Sequence, residues 1–283
     1  MFSPYYASAR RSAGPRGADP FDHCALNVSL YRRGGAKRWT MTERGRRQVR
    51  CSAAALQIGT SGVHWAADGT LEFDLDEISV PWPARVRGCV RVRPLHLVDR
   101  SFALDPEGLH AWRPLAPLAR IEVALQQPAL RWSGTAYLDS NFGQAPLEQT
   151  FESWHWSRAS MPERRCAVLY DVRRKDGSEL AMSLRFGADG TVDETASAPP
   201  VARMASTPWR IERQTRCEPG HRPAIDRTLE DGPFYARSLF TTQLDGARIA
   251  GFHESLSLRR FESRWVQRML PFRMPRQSGL RRG

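Results

Sequence analysis

Two pairs of residues have the types and the spacing for acid chemistry. His110 and Trp112 stand two apart in "LHAWRPLAPLARIEV", and Tyr137 and Asp139 stand two apart in "TAYLDSNFGQAPLEQTFESWHWSRA". On extended backbone successive side chains alternate, so each pair points to one side of its strand. Two such pairs facing one cavity would gather a carboxyl, an imidazole, a phenol and an indole. An acid among so many rings suits chemistry that needs a proton donor in a dry place, because burial disfavours the carboxylate. Plainer explanations stand beside this one. A histidine in a β-protein usually bonds a backbone carbonyl, a tyrosine usually lines the core, and "LDSN" can be a turn in which Asp139 caps an amide. Trp154, His155 and Trp156 read as packing between domains, with cavity lining as the alternative.

Other chemistries lack their signatures. The dinucleotide fingerprint, the P-loop, HExxH and GxSxG are all missing, so no cofactor and no metal is expected. "RRGGAKR" (Arg32–Arg38) lacks the Lys-Ser/Thr of a phosphate cradle and reads as a hairpin loop. The five cysteines, Cys24, Cys51, Cys89, Cys166 and Cys217, are odd in number and widely spaced. They are expected to be buried free thiols rather than a disulfide framework or a zinc site.

The elements that must position these residues read as strands. "LEFDLDEISV" alternates apolar and acidic residues, and "RVRGCVRVRP", "ARIEVAL" and "ALRWSGTAYLD" continue with period two. "RCAVLYDVRR", "LAMSLRFG", "PWRIERQTR", "FYARSLFTTQL" and "ARIAGFHESLSLRRF" repeat the habit, punctuated by the turn signals "KDGS", "ADGT", "EDGP" and "LDGA". Such a pattern predicts an all-β protein of antiparallel barrels or sandwiches. Two β-domains are expected, 1–158 and 159–262, with a basic tail over 263–283 that is helical around Phe261–Leu270 and limited by Pro271 and Pro275. "ETASAPPVARMASTP" (Glu194–Pro208) reads as a long loop.

The formal net charge is +12, and from Arg259 to Gly283 there are eight arginines against one acid, Glu262. Phe261, Trp265, Val266, Met269, Leu270, Phe272 and Met274 interleave with them, which suits an anionic membrane surface. The tail carries no recognisable RNA-binding motif, so nucleic acid is not an expected partner. No apolar run is long enough for a membrane-spanning helix, and the first residues lack the features of a secretory signal. A cytoplasmic or peripheral protein is the expectation.

Several long motifs carry a family resemblance. "FSPYYASARR", "DHCALNVSLY", "RWTMTERGRR", "AYLDSNFGQAPLEQTFESWHWSRA" and "FHESLSLRRF" run in order from Phe2 to about Phe261 and resemble the carotenoid 1,2-hydratases, also called hydroxyneurosporene synthases. The resemblance implies cofactor-independent addition of water to the terminal C1–C2 double bond of acyclic carotenes such as neurosporene and lycopene. It further implies a two-part lipocalin-like β architecture, a photosynthetic bacterium as source, and His110, Trp112, Tyr137 and Asp139 as the active-site residues. Family members usually begin some dozens of residues earlier, with an aromatic-rich segment ahead of "FSPYY". They usually carry Trp where Ser8 stands, and the N-terminal domain is expected to lack that lead-in. Under this reading Asp139 protonates the alkene, and Trp112 and Tyr137 face the resulting cation. His110 either orients Asp139 or takes a proton from the attacking water. Arg10, Arg11, Arg16 and the tail would hold the protein against anionic lipid. A carrier that binds carotenoid or another apolar ligand without turnover is the alternative.

Overall fold

The computed structural model describes residues 3–14, 17–32, 37–195 and 197–277. The core of "RRGGAKR", and Arg16, Arg281 and Arg282, lie outside the described residues. The chain divides into two compact units, one of residues 1–94, 120–136 and 267–283, the other of 95–119 and 137–266. The division is not the one expected at 158–159, because Phe151–Met161 is one uninterrupted strand. Two unusually long strands are the reason. β1 (His110–Gln127) and β2 (Leu130–Gly143) each give one half to each unit, so sequence order does not follow unit membership.

The first unit is built on an antiparallel meander of Val49–Cys51, Ala55–Ile58, Ser61–Trp65, Leu71–Ile78 and Arg85–Pro94. Alternation sends Leu71 and Leu75 inward, and Leu75 joins Val86, Val123 and Leu125 in a core cluster. The next inward position is Glu77, a carboxylate only 1% exposed. It is tolerated because Arg44 Nη2 lies 2.8 Å away and the Ser61 hydroxyl donates to it at 2.7 Å, which meets the requirement that a buried charge be paired. Gly88 has φ +148°, and a Cβ there would stand 2.4 Å from the Ala124 carbonyl oxygen, so the close approach of these strands requires glycine.

The C-terminal segment is more ordered than a solvated tail. Leu258–Phe261 and Arg264–Arg273 are helical, and Arg276–Gln277 pairs in parallel with Glu43–Arg44. Arg276 bonds Glu43 at 2.5 Å and Asp22 at 3.0 Å, so this arginine serves the fold.

The second unit centres on a seven-stranded antiparallel sheet. β3 (Phe151–Met161) lies between β4 (Arg165–Arg174) and β6 (Ala247–Ser257), and β5 (Tyr235–Leu244) flanks β6. Val192–Asp193 and Ala224–Asp231 form the two ends, an open order that suits a sandwich layer rather than a closed barrel. Register sorts the side chains. Trp156 faces Tyr170 on one neighbour and Glu254 on the other, and Glu254 faces Arg237. These four share one face. The opposite face carries His155, Ser157, His253 and Ser255, and a small hairpin, Val201–Met204 with Arg213–Arg216, bonds to it. Thr215 meets Ser157 at 2.9 Å, and Arg216 holds Asp171 at 2.6 Å. The expected loop Glu194–Pro208 thus carries a four-residue strand, Val201–Met204. Its alanine-rich composition hides a pairing made only with residues a dozen positions later. Cys166 and Cys217 are buried free thiols as expected, but Cys51 is exposed, on a strand of three residues that gives it no cover.

Candidate active site

All four predicted residues belong to the second unit. The first residues of β1 are held by a turn ahead of them. Asp105 accepts from the backbone amides of Leu109 at 2.9 Å and His110 at 2.8 Å, and from His110 Nδ1 at 2.9 Å. Burial pushes the Asp105 carboxyl up, but these three donors outweigh it and hold the group below its ordinary range. The other His110 nitrogen, Nε2, meets the Ala145 carbonyl at 2.9 Å. Both ring nitrogens are therefore engaged, and neither is directed at Asp139. Gly143 makes room for this ring, since a Cβ there would lie 2.6 Å from His110 Cδ2.

One alternation along β1, Trp112 is fully buried, with Phe102 at 5.4 Å and Tyr170 edge-on at 5.7 Å. Its indole Nε1–H donates to Asp139 Oδ2 at 2.8 Å. The Tyr137 hydroxyl donates to the same oxygen at 3.1 Å. Asp139 is half-buried, not on the wetted exterior. Desolvation pushes its carboxyl up, the Trp112 and Tyr137 donors pull it down, Glu254 raises it and Arg237 lowers it; the net shift is upward from 3.8. Tyr137 is itself held well above its ordinary value, by burial first and then by the Asp139 charge, so it remains a neutral donor. "LDSN" is strand rather than turn, and Asp139 caps no amide there.

The structure thus joins three of the four residues at one carboxyl oxygen. His110 stands beside them as an anchor for the strand that presents Trp112. Trp112 meets Asp139 through its N–H, while its ring is closed in by Phe102 and Tyr170. The rings that keep some exposure are Tyr137 and Trp156, whose centroids are 5.3 Å apart. Arg158 lies on the same Tyr137 ring at 6.0 Å. His155 turns to the other face and bonds Ser255 at 2.9 Å.

Sequence reasoning missed Asp105, Tyr170, Arg237 and Glu254. "LDPEGLH" carried a signal for the first, an acid in a Pro-Gly turn just ahead of the candidate histidine. Tyr170 sits inside "RCAVLYDVRR", where a ring reads as core. Arg237 and Glu254, bonded at 2.8 Å, meet only through strand pairing and had no sequence signal. Among the described residues no three His, Cys, Asp or Glu side chains converge as metal ligands. A cleft of about 840 Å³ in the first unit, lined by Arg44, Arg47, Arg50 and Arg85 among others, is basic and contains none of the four residues.

The carotenoid hydratase CrtC family model matches residues 1–282. The acyclic carotenoid 1,2-hydratase of Thiocapsa roseopersicina is 52% identical over 280 residues, covering 99% of this chain and 67% of the relative. That of Rubrivivax gelatinosus is 48% identical, covering 98% and 68%. That of Cereibacter sphaeroides is 41% identical, covering 99% and 96%. Among solved structures, an ATTH protein from Nitrosomonas europaea superimposes with a TM-score of 0.54 at 14% identity, over 78% of this chain and 74% of that one. That likeness concerns the fold alone.

Proposed function

The chain belongs to the carotenoid hydratase CrtC family, and from that premise we propose that it adds water to the terminal double bond of acyclic carotenoids with Asp139 as the proton donor. An isolated alkene offers a nucleophile nothing to attack until a proton has been added. Protonation at C2 leaves a tertiary cation at C1, which fixes where water enters. The donor must be protonated at rest and acidic when the alkene reaches it. The observation that carries this assignment is the two-donor grip on Asp139 Oδ2 inside an apolar shell. Both lone pairs of that oxygen are occupied, so Oδ1 is the oxygen left to carry the proton. Burial shifts the group toward its protonated form, and Trp112 and Tyr137 stabilise the carboxylate that appears as the proton leaves. Tyr137 and Trp156 offer the partly exposed rings for the cation, each such contact worth about 0.5–2 kcal/mol. Asp105 and His110 act at one remove, as positioning residues for Trp112.

A carrier has no use for a carboxyl whose burial shifts it toward the protonated form, which favours turnover over storage. Asp139→Asn keeps the shape and both acceptor bonds and removes the acidic proton. Incubation with lycopene and chromatography for the 1-hydroxy product should show a loss of roughly 10²–10⁴-fold with an unchanged fold by circular dichroism. Turnover at the original rate would end the assignment.

We further infer peripheral contact with an anionic membrane, where a hydrocarbon substrate resides. No helix among the described residues is long and apolar enough to cross a bilayer. The helix Arg264–Arg273 exposes Trp265, Met269 and Phe272 between arginines, which is the support for surface contact.

A further inference from the structure

The protonated alkene needs water at C1, and the two rings packed against the donors of Asp139 carry polar atoms that make no hydrogen bond among the described residues. Trp156 Nε1–H is buried and makes no hydrogen bond. Tyr170 is 3% exposed, and its hydroxyl makes none among the described residues. The two residues are direct cross-strand partners on β3 and β4, so their side chains rise from the same face as neighbours. Each also backs one of the two groups that hold Asp139. Tyr170 stands edge-on to Trp112 at 5.7 Å, and Trp156 packs on Tyr137 at 5.3 Å. The unpartnered pair therefore brackets the carboxyl. Oδ2 is filled by its two donors, while Oδ1 makes no hydrogen bond among the described residues.

We propose that the Tyr170 hydroxyl and the Trp156 indole N–H hold the attacking water beside Asp139 Oδ1. The assignment rests on the hydratase reading and adds the second reactant to it. The water accepts from Trp156 Nε1–H through one lone pair and donates to Tyr170 Oη and to Asp139 Oδ1, which leaves its other lone pair for C1. The Asp139 charge reaches the Tyr170 phenol and, after burial, is the largest cause holding it above its ordinary value, so the phenol stays neutral. The steps balance. The O–H bond of Asp139 breaks and the alkene π pair forms C2–H, leaving a cation at C1. The water lone pair forms C1–O. The oxonium then returns one proton to the Asp139 carboxylate, which regenerates the acid and consumes only water.

Deuterium separates the two half-reactions. In D₂O, Asp139 delivers deuterium to C2; a cation that water fails to capture gives a proton back and returns as alkene labelled at C2. With lycopene as the probe, Tyr170→Phe should lower hydration about 10- to 100-fold, the cost of a misplaced reactant. The C2 label in recovered substrate should persist, so the ratio of exchange to hydration rises. Trp156→Phe, which keeps a ring and loses the N–H, should shift the ratio the same way and carries the test if Tyr170→Phe fails to fold. Asp139→Asn should abolish label and product together; label appearing without it would sink the acid assignment instead. Wild-type hydration in both ring variants, or equal loss of exchange and hydration, overturns the water site.

Discussion

At the scale of single residues, the site is governed by opposing forces on one carboxyl. Desolvation and Glu254 favour the proton on Asp139, while Trp112, Tyr137 and Arg237 favour its departure. The limb of kcat/KM on which activity falls with rising pH should therefore lie above the ordinary value of an aspartate, as Asp139 loses its proton. Glu254→Gln removes a repelling charge, which lowers the Asp139 value. The limb should move to lower pH, as a profile taken over the whole acid range would register; a limb that stays in place would mean that Glu254 does not act on the acid. The same upward shift costs stability. A carboxyl with a raised folded value is harder to ionise when folded than when unfolded, so above that value it opposes folding. Asp139→Asn should accordingly melt at the same or a higher temperature than the parent at neutral pH, which differential scanning calorimetry would show.

At the scale of elements, β3 has two faces with different work. One carries Trp156 toward the carboxyl. The other buries a polar network in which His253 Nδ1 bonds Ser157 and Nε2 bonds Ser255, each at 2.9 Å, with the His155 ring stacked at 6.1 Å. Burial depresses both imidazoles, His155 to about 4 and His253 well below 6.5. The folded pair stays neutral where unfolded histidines charge. Stability should be full above the unfolded value of 6.5 and fall as pH drops from there toward about 4, by up to about 1.4 kcal/mol per pH unit for each ring. Urea titrations at pH 7 and pH 5 measure this, and His155→Gln should flatten the dependence; equal midpoints at both pH values would refute it. These elements also show what was legible in the sequence. The strand over 235–244 followed from alternation, because one-sided burial imprints period two, whereas 165–174 is buried on both faces and read as a strand from its apolar run between turn signals. The His110/Trp112 and Tyr137/Asp139 spacings were legible for the same reason. Glu77 sat on the apolar side of its alternation, and its partner Arg44 lies thirty-odd positions away. Tyr170, Glu254 and Arg237 reach the site only through register, which single strands do not announce. The role of His110 could not be read either, since both its partners, Asp105 and the Ala145 carbonyl, come from turns outside its strand.

At the scale of the whole molecule, a charge of +12 needs a place to act. Part of it is used internally, as Arg276 bonds Glu43 and Asp22. The helix Arg264–Arg273 is different. Val266 and Leu270 are buried on one side. Trp265, Met269 and Phe272, at i, i+4 and i+7, form an outward stripe at 47%, 44% and 72% exposure. Arg264 and Arg268 border that stripe, and Trp209 extends it by stacking on Trp265 at 6.0 Å. Apolar rings flanked by cations are the composition of a helix that lies at an anionic interface, with about 1 kcal/mol gained per basic residue near the surface. Replacing Trp265, Met269 and Phe272 by serine should reduce co-sedimentation with both neutral and phosphatidylglycerol vesicles. Arg264→Gln with Arg268→Gln should remove only the preference for the anionic ones, by about tenfold or more. Neither set touches Asp139, so hydration of detergent-dispersed lycopene should persist while hydration of vesicle-embedded lycopene falls. Unchanged sedimentation of both sets with both vesicles would remove this helix as the docking face.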